Sequence, residues 1–328
     1  MQPVASAPAP FRRVCIALNP VSGIVPDAEG AVRQAVSRYP HVEWDIRLTQ
    51  GAGDATRFAR EAQVNGCDLV IACGGDGTVM EVAEGVMNTN MPMSIIPFGT
   101  ANVMSVELGF PADVERVIDG LVGGAAEARP VDMATIDNKP MMLRAGVGYE
   151  AEISVGASRE EKRRFGRFAY MIAAWRKMRH LSPTTYAITI DDQQYAARGV
   201  TCMICNSASV GVPNLSFTGK ADVSDGLLDV IVIPNLQVPS VVRVVWSILT
   251  SLRPKPKNAP EGIVHWQGKR VTVQTRHRQM IAIDGEPLKR GKRVSAQIIP
   301  HAITILIPRL AVTNTTTTPT PQVESAAS

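Results

Sequence analysis

Along its first third the chain alternates short apolar runs, at residues 14–18, 42–48, 69–73 and 94–96, with amphipathic stretches at 27–38, 52–64 and 79–87. Strand followed by helix, repeated, predicts an α/β layer built on a parallel sheet. The run Leu69-Val70-Ile71-Ala72-Cys73 is apolar on both faces, as a central strand covered by helices must be. Beyond residue 129 the rhythm changes to alternating strands joined by turns. Examples are Tyr186-Ala187-Ile188-Thr189-Ile190 before Asp191-Asp192, and Arg270-Val271-Thr272-Val273. A β-rich, sandwich-like C-terminal domain is therefore expected after the α/β domain, with an active site in the cleft between them. The expected units are a disordered start over 1–12, an α/β domain over 13–129, a β-rich domain over 130–308 and a disordered tail over 309–328.

Two helical stretches interrupt the β-rich part. Residues 165–181 place Phe165, Phe168, Ile172, Trp175 and Met178 on one face, with Arg163, Arg164, Arg167, Arg176, Lys177 and Arg179 around the rest. That pattern suits either attachment to an anionic membrane face or a helix packed on the sheet with solvated cations outside. Residues 241–252 are more apolar and read as a buried helix. No apolar run reaches membrane-spanning length, and the Pro/Ala-rich start lacks the makings of a secretory signal.

Composition adds bounds rather than function. The 328 residues are 45% hydrophobic and 20% charged, which fits a folded globular chain, and the net charge of +4 falls short of a nucleic-acid footprint unless it is clustered. Five cysteines, an odd number, lie mostly in apolar runs and suit reduced thiols. Cys202 and Cys205 form a C-x-x-C, but strand alternation sends them to opposite faces, which argues against a shared zinc or redox role.

The strongest chemical signal is Gly74-Gly75-Asp76-Gly77-Thr78, directly after the central strand and before a helical stretch. Glycines let the backbone turn sharply and present N–H groups to phosphate oxygens, and a helix start adds partial positive charge. The chain has neither G-x-x-x-x-G-K-[ST] nor G-x-G-x-x-G, so the two commoner phosphate loops are excluded. Asp222-Val223-Ser224-Asp225-Gly226-Leu227 and Ile283-Asp284-Gly285-Glu286-Pro287 are further acidic turns, each of which could also be a plain Asp-Gly turn.

The Gly74 to Thr78 loop resembles that of the diacylglycerol kinase and sphingosine kinase superfamily, including the bacterial lipid kinases. The likeness runs over about residues 14–308 and takes in Asn19-Pro20-Val21-Ser22-Gly23, Thr49, Pro97-Phe98-Gly99-Thr100-Ala101-Asn102 and Gly146-Val147-Gly148-Tyr149-Glu150. The resemblance implies an ATP- and Mg²⁺-dependent kinase acting on a lipid hydroxyl, diacylglycerol-like or sphingoid. It implies that Asn19, Thr49, Gly74, Gly75, Asp76, Gly77, Thr78, Val79, Met80 and Thr100 surround the nucleotide. A structural Mg²⁺ would be held by the Asp225 carboxylate and the carbonyls of Asp222 and Leu227. Glu286 would be the general base, with Asp284 orienting the site or holding catalytic Mg²⁺ and Asp76 the rival base. Val103 stands where many members carry Asp.

The expected setting is cytoplasmic, peripheral to an anionic membrane, without nucleic acid and with a homodimer allowed. Two other readings remain open. One is an NAD kinase, whose family shares a GGDG loop; the other is a membrane-docking lipid-binding protein that has lost transfer.

Overall fold

The computed structural model describes residues 11–23, 27–123, 126–148, 183–207, 209–212, 215–216, 222–233 and 264–309. The stretches 165–181 and 241–252, residues 149–152 and the chain ends at 1–10 and 310–328 lie outside them.

The elements run β1 (Arg13–Leu18), α1 (Ala28–Ser37), β2 (Glu43–Leu48), α2 (Asp54–Val64), β3 (Leu69–Gly74), α3 (Asp76–Val86), β4 (Met93–Pro97), α4 (Val103–Leu108) and α5 (Val114–Val122). The β-rich part follows as β5 (Ala126–Ile136), β6 (Lys139–Met141), β7 (Arg144–Gly148), β8 (Thr184–Ile190), β9 (Gln193–Gly199) and β10 (Thr201–Cys205). It continues with β11 (Ser209–Val212), β12 (Leu215–Ser216), β13 (Leu228–Ile233), β14 (Val264–Gly268), β15 (Arg270–Ile283) and β16 (Glu286–Pro308).

In the first half β4, β3, β1 and β2 lie side by side and parallel. All six residues of β3 are buried, as the unbroken apolar run requires. One face packs α2, α3 and α4 through Phe58, Val82, Val86, Met104 and Leu108, and the other packs α1 and α5 through Val32, Val36, Ile118 and Leu121. The second half closes its own core over Ala145, Val147, Tyr186, Cys202, Val230, Val273 and Ile281. Cys205 belongs to a different buried cluster, with Met203, Ile231 and Ile233, so the two thiols do face opposite ways.

The halves are not joined by a linker alone. β16 pairs with β15 and β5, bulges between Ile299 and Ile303, and then meets β4 in parallel at Ile305 and Met93. Ser94 donates to the Leu306 carbonyl at 2.7 Å. One strand of 23 residues therefore locks the β-rich part onto the edge of the parallel sheet. Among the described residues no helix is long and apolar enough to cross a membrane.

Candidate active site

From β1 the chain passes to β2 on one side and then to β3 on the other, so the order β4-β3-β1-β2 reverses between β1 and β3. Loops leaving the carboxyl ends of strands at such a point form a crevice. The Asn19 N–H donates to the Cys73 carbonyl at 2.9 Å, and its side-chain amide reaches the Thr78 hydroxyl at 3.4 Å. The Thr49 N–H donates to Leu18 and the Phe98 N–H to Gly74, at 2.8 and 2.9 Å. Asn19, Thr49, Gly74 to Thr78 and the loop carrying Thr100 are thus gathered at one edge of the sheet.

The loops touch through glycine. A Cβ on Gly99 would run into the Cα of Gly75, and one on Gly23, at φ +79, would run into the carbonyl of Phe98. Gly23→Ala should therefore push the first loop off the third, weakening nucleotide binding at least about tenfold and lowering the melting temperature by several degrees. Calorimetric titration with nucleotide and a thermal melt check both parts; unchanged affinity would show that the loop contact is not needed.

α3 begins at Asp76, and its N-cap, Gly75, has no side chain to bond the first N–H groups. Those donors of the first turn remain for a ligand, and anions are favoured at a helix N-terminus. Val79 is buried in the core, so any contact it makes with a ligand is through the main chain, whereas Met80 packs against that core and stays partly exposed.

Asp76 has a structural task that the sequence did not disclose. Its Oδ1 accepts the Val103 N–H at 2.7 Å, at the start of α4, where Asn102 sits at φ +49 and makes no side-chain cap. Burial pushes its carboxyl up from the ordinary range, opposed by main-chain N–H groups of Val103, Met104 and Asn102 and by the Arg144 charge.

The linker at residues 142–144 ties the phosphate loops to the β-rich part. Met142 and Leu143 share a core with Val103, Met104 and Leu108 of α4. The Leu143 carbonyl accepts the N–H groups of Asn206 and Ser207, and the Ser207 hydroxyl reaches Glu107 at 3.4 Å. On its other side stands Asp284, whose carboxylate accepts the N–H groups of Met142, Leu143 and Arg144 at 2.8, 2.9 and 2.8 Å. The Asp284 N–H returns a bond to the Arg144 carbonyl at 2.9 Å.

Asp284 and Gly285, at φ +49 and +89, form the two-residue turn of the β15–β16 hairpin, with Ile283 opposite Glu286. Asp-Gly is thus a hairpin turn and an anchor at once. With three donors on its two oxygens, Asp284 fixes the turn. Glu286, the residue after the turn, is exposed. Burial raises the Asp284 carboxyl, and Arg144 opposes this as it does for Asp76.

Arg144 lies within electrostatic reach of both acids and is the functional candidate that sequence reasoning passed over. Its available signal was a lone cation after the apolar Met141-Met142-Leu143.

The remaining acidic turn sits apart from this centre. Asp222 Oδ1 accepts from Arg129 and from the Ser224 N–H, and Asp225 Oδ1 accepts from the Leu227 N–H at 2.9 Å. Burial raises the Asp225 carboxyl, and the charges of Asp229, Asp222 and Asp132 add to the rise. Such crowded negative charge is what a hard cation would relieve. Among the described residues no three His, Cys, Asp or Glu side chains are grouped to hold a metal, so an ion here would depend on carbonyl oxygens.

Residues 13–136 match the family model of the diacylglycerol kinase catalytic domain, and residues 144–307 that of the YegS C-terminal NAD kinase β sandwich-like domain. A diacylglycerol kinase of Bacillus subtilis is 28% identical over 281 residues, covering 84% of this chain and 90% of that protein. An uncharacterized protein of Synechocystis (sll0036) is 31% identical over 268 residues, covering 80% of this chain but only 61% of the relative's length. A crystal structure of a diacylglycerol kinase from Bacillus anthracis superposes with a TM-score of 0.70 at 25% identity, covering 90% of this chain and 96% of that one. With both family models matched in tandem on the two halves just described, the chain belongs to the diacylglycerol kinase/YegS family of lipid kinases.

Proposed function

We propose that the chain transfers the γ-phosphate of ATP to a lipid hydroxyl, diacylglycerol-like or sphingoid, with Glu286 as general base. The observation that carries this reading is the 142–144 linker. It packs on α4, which Asp76 ties to the phosphate loop, and its N–H groups hold the Asp284 turn, which presents Glu286. Phosphoryl transfer depends on positioning the nucleophile and neutralising charge more than on covalent chemistry.

The N–H groups that begin α3, with Asn19, Thr49 and Thr100, would hold the nucleotide phosphates. Glu286 would accept the proton of the lipid O–H as its oxygen bonds to the γ-phosphorus and the bond to the ADP oxygen breaks. Asp284 is then a positioning residue, and Asp76 joins two loops rather than acting as base. Arg144 would lie against the charge that builds between them. Magnesium, when bound with ATP, supplies charge neutralisation at the phosphate oxygens.

A second ion at the Asp222 carbonyl, the Leu227 carbonyl and the Asp225 carboxylate would hold the β-rich part together. Mg²⁺ without nucleotide should then raise the melting temperature by a few degrees, and Asp225→Ala should abolish that rise. An equal rise in the variant would remove the ion from this turn.

Incubation with γ-labelled ATP, Mg²⁺ and a panel of diacylglycerol, monoacylglycerol, ceramide, sphingoid base and phosphatidylglycerol tests the function, with NAD alongside. Label in one lipid class supports the proposal and names the substrate. Label in NAD alone favours the reading suggested by the NAD kinase-like sandwich, and no labelled product favours a binding protein.

A further inference from the structure

One hairpin carries a marked local excess of positive charge, as does the stretch at residues 163–179. Residues 276–293 contain six of the 34 Lys and Arg and two of the 30 Asp and Glu, leaving 28 of each sign elsewhere. The fold brings these cations together. β15 pairs with β8 over Val271 to Thr275 and with β7 over Ile281 to Ile283, so it changes neighbours between the two. At that corner four residues, from Thr275 to Arg278, bulge opposite Lys292. Strands that switch sheets turn corners through such irregularities.

Arg276, Arg278, Lys289, Arg290, Lys292 and Arg293 are all exposed there. Lys289 bonds Asp137 at 2.6 Å, whereas among the described residues Arg276, Arg278, Lys292 and Arg293 have no carboxylate within ion-pair distance. The corner shares its hairpin with Glu286: Arg290 is four residues along β16, about 13 Å at the rise of a strand.

We infer that this basic corner docks on an anionic bilayer surface and so holds the Glu286 turn at the level of lipid headgroups. The inference rests on the lipid-kinase reading for its purpose but not for its test. A lipid hydroxyl must be reached at a membrane face, and unpaired Arg and Lys on an exposed edge complement anionic headgroups. The residues of the bulge, Thr275 to Arg278, include no Trp, Tyr or Phe, and His277 is their one ring on which a base could stack, a poor platform for single-stranded nucleic acid.

The experiment compares the full chain with a variant carrying Arg276→Gln, Arg278→Gln, Lys292→Gln and Arg293→Gln. All four positions are outside the catalytic machinery, and a thermal melt confirms folding. Sedimentation is measured with vesicles of phosphatidylglycerol in phosphatidylcholine and with phosphatidylcholine alone. Each Lys or Arg near an anionic leaflet strengthens binding roughly fivefold, so the variant should bind the mixed vesicles at least about a hundredfold more weakly.

Wild-type binding should also collapse at high salt and be weak on phosphatidylcholine alone. Undiminished binding by the variant overturns the inference. So does wild-type binding that ignores salt, or tighter wild-type binding to an oligonucleotide than to the mixed vesicles at equal salt. Lipid phosphorylation in neutral detergent micelles separates the two readings. A variant that has lost vesicle binding but phosphorylates at the wild-type rate supports docking, and loss of vesicle binding supports it even if neither protein phosphorylates any lipid.

Discussion

Glu286→Gln is expected to slow phosphate transfer to lipid by about 10²- to 10⁴-fold, the usual contribution of a positioned general base, while leaving the melting temperature and nucleotide affinity unchanged. The residue is exposed and its side-chain carboxylate accepts no hydrogen bond from any described residue, so a neutral, nearly isosteric replacement should alter stability by no more than about 0.5 kcal/mol. Rate assays on the preferred lipid, with a melt and a titration of the same sample, read these effects separately. If the variant kept the wild-type rate, the proton would have to leave by another group and the role assigned to the hairpin would fall.

Asp284→Ala, two residues away, should do the opposite kind of damage. It leaves three main-chain N–H groups, of Met142, Leu143 and Arg144, without their acceptor in a half-buried place. Each orphaned buried donor costs on the order of 1–3 kcal/mol, and partial access of water reduces the sum to roughly 3–5 kcal/mol. A two-residue turn with φ +49 at its first position also tolerates Asp better than Ala. The denaturant midpoint should fall accordingly, and transfer should drop with it because Glu286 is no longer held. Asp284→Asn, which keeps one acceptor oxygen, should fall between. A variant as stable as the wild type would show that the three bonds do not hold the hairpin.

The contrast between these neighbours marks how far the sequence could be read. Period-two and helical patterning specify the strands and helices of the first third, because each is a property of a few adjacent residues; β5, Ala126–Ile136, already runs across the expected boundary at residue 129. The opposite facing of Cys202 and Cys205 follows from alternation alone. The run of β16 into the nucleotide-side sheet does not. It crosses Pro300 and His301, the latter at φ +51, which read locally as a break, and it rests on a pairing between Ile305 and Met93 more than 200 residues apart.

Asp76 as the cap of α4, Asp284 as an acceptor of three linker N–H groups and Arg144 between them are long-range relations of the same kind. Motif position could place these acids near phosphate chemistry, but only the register of β7 against β15 separates the one that anchors, Asp284, from the one that stays exposed, Glu286. The basic corner was hidden differently: its cations are visible in the sequence, and their assembly depends on the bulge that sets Arg276 and Arg278 opposite Lys292.

Transfer of label from γ-labelled ATP to lipid, followed in one assay for the wild type and Glu286→Gln with bound nucleotide measured alongside, tests the central claim most directly. The account predicts labelled lipid from the wild type and a loss of at least about a hundredfold in the variant at equal nucleotide occupancy; equal lipid labelling by the two proteins, or label in NAD alone, would contradict it.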